Sequence, residues 1–258
     1  MTLTEKVDQL RAQYESTRYA PPIARLGVAG YTYWSEGLHG VARAEFVNSP
    51  TSDYYNTSAG SAKRDEFGQP FAPLSDRFTP PNQGFATSFS YGLGQASSWN
   101  RDLVREATSI TSDEARAYYN YRKKGLTYWS PTMNLDRDPR WGRSEEAFGE
   151  DAFLSGEIAG AFVQGMQGDD PTYLKAIATP KHFYAQSSED DRHVGDGASI
   201  TERELREYYT YHFAKALGQY GAGAAMSGYN AINGVPAPAD KDALLTLARR
   251  TWGFTGYV

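Results

Sequence analysis

Ala176-Ile177-Ala178-Thr179-Pro180-Lys181-His182-Phe183 is a short apolar run closed by proline and followed at once by two polar, chemically useful side chains. After a polar loop comes a stretch in which Leu205, Tyr208, Tyr209, His212, Phe213, Ala216 and Leu217 share one helical face. Thr201-Glu202-Arg203-Glu204 opens that stretch as a capping box, with the threonine accepting an early amide and Glu204 bonding back to the cap. Ala224-Ala225-Met226-Ser227-Gly228 then reads as a strand, about Asp240 to Arg250 as a helix, and Gly256-Tyr257-Val258 as the start of another strand.

The same rhythm extends backwards. Candidate strands fall near Gly30-Tyr31-Thr32-Tyr33, Phe85-Ala86-Thr87-Ser88-Phe89 and Leu126-Thr127-Tyr128-Trp129-Ser130, and a helix is predicted from about Leu103 to Lys123. Leu154, Ile158, Ala161, Phe162 and Met166 form a further helical stripe, in which Gly156, Gly160 and Gly165 weaken propensity but permit close packing. Repeated right-handed crossovers of this kind build a doubly wound sheet or a barrel. Polar and aromatic residues gather just after several strands, at Trp34-Ser35-Glu36, at Asn134 to Asp138, at Lys181-His182 and at Tyr229-Asn230. Strand ends that converge on one mouth favour an α/β fold of the (β/α)8 TIM-barrel type. About six strands are accounted for, so the expectation is an incomplete barrel over residues 1–258, with a proline-rich excursion at 43–82.

Composition narrows the function classes. The chain carries 26 basic and 31 acidic residues, net charge -5, without a basic stripe, which argues against a nucleic-acid partner. It has no cysteine, which excludes disulfides and thiolate metal sites. No apolar run is long enough for a bilayer, so no membrane partner is expected. Met1 to Tyr14 is amphipathic and unlike a secretion signal, which tilts the expectation of location to the cytoplasm.

Five blocks carry candidate chemistry. In Arg137-Asp138-Pro139-Arg140-Trp141-Gly142-Arg143-Ser144-Glu145-Glu146, the planar fork of Arg143 suits neighbouring hydroxyls, with Asp138 or Glu145 placed to orient it; a salt-bridged loop is the competing reading. Trp141 reads as scaffold. Lys181 and His182 sit where a barrel mouth would be, and both can donate to ring hydroxyls; no Ser or Cys nucleophile with an Asp orienter makes a triad with His182. Glu36 can accept from two sugar hydroxyls, or pair with Arg143 or His39. Tyr229 offers ring and hydroxyl after another strand. The run Glu189-Asp190-Asp191-Arg192-His193 lacks a specific ligand pattern, so no metal is expected there, and Arg192 and His193 stand as secondary substrate contacts.

Taken together, Trp34-Ser35-Glu36-Gly37-Leu38-His39-Gly40, Arg137 to Arg143, Gly149-Glu150-Asp151, Lys181-His182-Phe183 and Met226 to Pro236 resemble the amino-terminal domain of a family 3 glycoside hydrolase. The likeness is greatest to its β-xylosidase and β-glucosidase branch and covers nearly the whole chain. The resemblance implies that Glu36, Arg143, Lys181, His182 and Tyr229 line the subsite of the terminal sugar. It also implies a retaining, exo-acting double displacement that releases a terminal non-reducing β-D-xylosyl residue, with no cofactor.

The resemblance places the nucleophilic aspartate just after the segment matching Trp252 to Val258, and the acid/base glutamate further on, commonly in an α/β sandwich domain. No catalytic residue is therefore assigned within this chain. Alone it is expected to be inactive, with the C-terminal remainder of the enzyme, or a complementing chain, as its partner and a β-linked xyloside or glucoside as its ligand. A β-glucosidase segment and a noncatalytic carbohydrate-binding scaffold are the alternatives.

Overall fold

The computed structural model describes residues 1–10, 19–42, 86–122, 125–189 and 199–258. The excursion expected at 43–82 lies outside the described residues, as do Phe85 and Lys123.

Short strands alternate with helices as the sequence predicts. The amphipathic opening forms α1 (Leu3–Leu10). β1 (Tyr19–Ala20) pairs antiparallel with β2 (Tyr31–Thr32). Beyond β2 the chain runs beside β3 (Thr127–Tyr128), where the Trp129 amide donates to the Ser35 carbonyl at 2.8 Å. β3 is parallel to β4 (Ile177–Ala178), and a further parallel bridge joins Thr132 to Lys181. β5 (Lys181–Phe183) is parallel to β6 (Met226–Ser227), and Ala224 bridges in parallel to Tyr257. β7 (Ala231–Ile232) and β8 (Val235–Pro236) form a small hairpin after β6.

Strand segments therefore stand side by side in chain order, the arrangement of a barrel built from successive parallel crossovers. The row is curled. The buried Thr127 hydroxyl meets both the Tyr31 hydroxyl at 2.6 Å and the Tyr257 hydroxyl at 2.7 Å, although those tyrosines come from opposite ends of the row. Tyr33 packs edge-on against both rings, at centroid distances of 4.9 and 5.5 Å. The described residues thus make a partial α/β sheet, barrel-like in its curvature, with helices on its outside.

One expected strand is absent. Over residues 86–89 the chain forms no strand: the Thr87 amide and hydroxyl are both taken by the Glu114 carboxylate, at 3.0 and 2.7 Å, where a ladder partner would be needed. The Phe89 amide donates to the His39 carbonyl (2.8 Å) before α2 (Gly92–Ser97) begins.

The helices match more closely. α3 (Arg101–Arg122) fills the predicted position, and α4 (Ala152–Gln167) starts where Asp151 accepts from the Leu154 amide at 2.6 Å. α4 is the centre of the core, with Ile158, Phe162, Val163 and Met166 fully buried. Each such side chain contributes roughly 1.5–3 kcal/mol. Its glycines allow close approach, since a Cβ at Gly160 would enter the Tyr220 ring and one at Gly165 would strike Thr108 and the Arg105 carbonyl. Glu157 on α4 clamps its neighbours, meeting Arg101 Nη1 at 2.8 Å, Lys215 Nζ at 2.5 Å and the Tyr220 hydroxyl at 2.9 Å.

α5, residues 202–219, opens on the predicted capping box at Thr201 and Glu204. It continues through wide i→i+5 turns at Leu205–Tyr209 and Ala214–Gln219. Leu205, His212, Phe213, Ala216 and Leu217 of the predicted face are buried. α6 (Asp242–Thr251) is also wound in wide turns. Thr201→Ala removes the cap acceptor and is expected to lower the urea unfolding free energy by about 1 kcal/mol; an unchanged midpoint would show that α5 is held by its packing alone.

Candidate functional site

The parallel strands end on one cluster. Glu36 follows β2 in the first strand segment, and Lys181 and His182 belong to β5. Arg143 comes from the connection after β3, where it immediately precedes a 3-10 turn at Ser144–Glu146. Lys181 is 6% exposed, and its Nζ lies 3.2 Å from Glu36 Oε2 and 3.4 Å from Oε1. Glu36 also accepts from the Trp34 indole at 3.1 Å. Of the pairings left open by the sequence, neither Arg143 nor His39 bonds Glu36 among the described residues; its carboxylate is held by Lys181 and Trp34.

Arg143 is held by Glu146. Nε and Nη2 donate to the two carboxylate oxygens at 2.8 and 2.7 Å, a bidentate pairing. Sequence reasoning offered Asp138 and Glu145 for this task. Asp138 instead pairs with Arg140, at 2.5 Å, and Glu145 is exposed. The reason is the 3-10 turn, which turns Glu146 back beneath Arg143, where its Oε2 also accepts from the Thr132 hydroxyl at 3.0 Å. Arg143 Nη1 further meets His182 Nε2 at 3.3 Å and Glu189 Oε1 at 3.8 Å. Glu189 in turn accepts from the indole of Trp141, which is buried as the scaffold reading required.

The charges reinforce one another. Burial pulls the Glu146 carboxyl upward, but its Arg143 bonds and the nearby Lys181 charge outweigh that and hold it below the usual range. Burial disfavours charge on Arg143, yet Glu146, Glu189 and Glu36 together leave it more basic than usual. Arg143 thus feels Glu36, and Glu146 feels Lys181, so the two ion pairs belong to one electrostatic unit. Close by in sequence, Asp136 is pushed up to about 6 by burial and by the charges of Glu145 and Glu150, against the Ser144 hydroxyl bond.

The structure therefore brings together Glu36, Arg143, Lys181 and His182. Tyr229 follows β6 and is 62% exposed. Arg192 and His193 lie outside the described residues. Sequence reasoning missed Glu146 and Asn134 as individual members. Asn134 was visible only as part of a polar strand end, yet its Oδ1 takes both the His182 amide and Nδ1 at 3.0 Å each. Trp34 packs its indole 5.7 Å from that of Trp129, giving an aromatic pair beside Glu36. Among the described residues, no group of three or more His, Cys, Asp or Glu side chains is arranged to hold a metal, and no helix is long and apolar enough to cross a membrane.

An arrangement of this kind holds acceptors and donors, already paired with one another, of the types that can bond hydroxyl groups. Comparison with known proteins gives this chemistry a family. The model of the glycosyl hydrolase family 3 N terminal domain matches residues 2–258. Beta-D-xylosidase 3 of Arabidopsis thaliana is 35% identical over 264 residues, covering 100% of this chain and 30% of the relative. Exo-1,4-beta-xylosidase bxlB of Emericella nidulans is 34% identical over 259 residues, covering 99% and 30%. The chain thus spans about 30% of the length of these curated relatives.

Among solved structures, a GH3 exo-beta-xylosidase (XlnD) bound to a xylobiose aziridine probe superposes with a TM-score of 0.78 at 33% identity, covering 99% of this chain and 29% of the other. Beta-glucosidase 3B from Thermotoga neapolitana in complex with glucose gives a TM-score of 0.76 at 28% identity, covering 100% and 32%. A family match across nearly every residue, together with the strand-end cluster of acid, base and guanidinium, establishes that the chain belongs to glycoside hydrolase family 3, as an N-terminal domain close to both β-xylosidases and β-glucosidases.

Proposed function

We propose that this domain holds the terminal sugar of a β-linked xyloside within a retaining, exo-acting β-glycosidase. The observation that carries the reading is the meeting at the strand ends of Glu36, Arg143 and the Lys181–His182 pair, from three separate stretches of the chain, as two bonded groups that feel each other's charge. Glu36 accepts from sugar hydroxyls, and Lys181 and Arg143 donate to them. Because Lys181 and Arg143 are already ordered by Glu36 and Glu146, little side-chain entropy is lost when the ring docks.

Cleavage follows double displacement. A carboxylate attacks the anomeric carbon as a second carboxyl group protonates the leaving oxygen, and that second group then activates water against the glycosyl-enzyme, the pair standing about 5–5.5 Å apart. Both groups are assigned to the polypeptide that follows this domain, in keeping with the greater length of the relatives. The domain alone is then a sugar-recognition unit, and the remainder of the enzyme is its partner.

We attribute a preference for xylose over glucose to the Trp34–Trp129 indole pair beside Glu36, which would meet the exocyclic group of a glucoside. Xylose lacks the exocyclic hydroxymethyl that a glucoside would press against an apolar wall, a difference of the size that pockets discriminate by about 10-fold or more. The test is hydrolysis by the full-length protein of 4-nitrophenyl β-D-xyloside and β-D-glucoside. A kcat/KM at least ten times higher for the xyloside is expected; a preference for the glucoside would replace this reading with β-glucosidase, and binding without cleavage would leave a carbohydrate-binding scaffold.

A further inference from the structure

The imidazole of His182 makes a set of bonds that has only one consistent protonation pattern. An arginine carries donors and no acceptor, so at the 3.3 Å contact Arg143 Nη1 donates and His182 Nε2 accepts. Nε2 therefore bears the lone pair and Nδ1 bears the proton. On the other side of the ring, Nδ1 lies 3.0 Å from Asn134 Oδ1, which accepts from it. The orientation of that amide is fixed independently, because Asn134 Nδ2 donates to the Gln186 carbonyl, leaving Oδ1 to face the histidine. The same oxygen takes the His182 backbone amide at 3.0 Å, so both its lone pairs are used. Asn134 is 3% exposed and His182 6%, and water has little access with which to scramble the pattern.

We propose that Asn134 is a positioning residue: it locks His182 as the neutral Nδ1–H tautomer, and His182 in turn fixes the angle of the Arg143 guanidinium from the edge that Glu146 does not hold. Sequence reading assigned His182 to donate to a sugar hydroxyl. In this arrangement the donor at that point is Arg143, and the imidazole is the acceptor that aims it. Three of the five N–H groups of Arg143 are committed to Glu146 and His182, which leaves the guanidinium oriented before any ligand arrives. The sugar-binding consequence rests on the function proposed above; the tautomer does not.

The experiment is long-range 1H–15N correlation on histidine-labelled full-length protein, with the His182 signals assigned by His182→Gln, followed by Asn134→Leu and Asn134→Asp. In the unaltered protein Nδ1 is expected to show the shift of a protonated nitrogen and Nε2 that of a bare one. Asn134→Leu leaves a buried Nδ1–H without its acceptor, so His182 is expected to shift toward the other tautomer by giving up its contact with Arg143, and xylose binding to weaken about 10-fold. Asn134→Asp keeps the acceptor and is expected to keep the Nδ1–H form. Unshifted signals from the buried His212 report that each variant is folded. A protonated Nε2 in the unaltered protein, or an unchanged tautomer in folded Asn134→Leu, overturns the proposal, and should the leucine variant fail to fold, loss of the Nδ1–H form in Asn134→Asp overturns it equally. An Nδ1–H tautomer in a protein that binds neither xylose nor glucose supports the bonding pattern and removes the sugar-binding reading instead.

Discussion

Arg143→Met is expected to lower kcat/KM on aryl β-xyloside by about 100-fold or more in the full-length protein, because it removes the charged donors that the proposed function assigns to the sugar. It also strips Glu146 of its bidentate partner while Lys181 and Thr132 remain. A largely enclosed carboxylate without its counter-ion is destabilising, and with about a quarter of the Glu146 side chain still exposed we expect a loss of about 2 kcal/mol in place of the larger cost of a fully buried pair. The two effects separate in Arg143→Met/Glu146→Gln. Neutralising Glu146 should recover most of the urea midpoint and none of the activity. If the double variant regains activity along with stability, Arg143 is a structural residue and the sugar-binding role assigned to it fails.

His212 is expected to contribute strongly to the response to acid. It lies on the buried face of α5, and burial pushes its imidazole down to about 3, far below the ordinary histidine value. Between pH 6.5 and about 3 the unfolded chain takes up a proton there that the folded protein resists. The stability contributed by neutral His212 is therefore complete above pH 6.5 and is lost as pH falls toward 3, at about 1.4 kcal/mol per pH unit. Going from pH 7 to pH 4.5 should cost about 2–3 kcal/mol from this one side chain. Asp136, raised to about 6, acts in the opposite sense, holding its proton in the folded state. The measurement is accordingly a difference. Urea unfolding of the unaltered protein and of His212→Leu at both pH values should show a smaller loss in the variant by that amount, with the Asp136 contribution cancelling; equal losses would mean that the core admits the imidazolium.

Much of the architecture was legible because it follows from periodicity and local hydrogen bonding. α3, α4 and α5 appear where apolar stripes recur at helical spacing, and the Thr201–Glu204 box forms because both partners lie within one turn. The Phe85–Phe89 strand was misread, since an alternation of aromatic and hydroxyl residues satisfies a strand pattern while Glu114, distant in sequence, claims the Thr87 amide and hydroxyl. Within the site, residue types were readable and partners were not. Glu36 could be seen as a carboxylate at a strand end, but its pairing with Lys181 joins positions 145 residues apart. Glu146 looked no different from Glu145 until the 3-10 turn set one inward and the other in solvent.

By itself the sequence determined the alternation of strand and helix, the helix start at Thr201 and the kinds of chemical group at each strand end, because these depend on neighbours a few residues away. Only the tertiary structure decided that Lys181 faces Glu36, that Glu146 and not Asp138 holds Arg143, and that Asn134 sets the proton on His182. Those choices are made where strands from separate parts of the chain curl toward one another, and burial there leaves each charged or polar group only its neighbours across the cluster with which to recover the hydrogen bonds it lost to water.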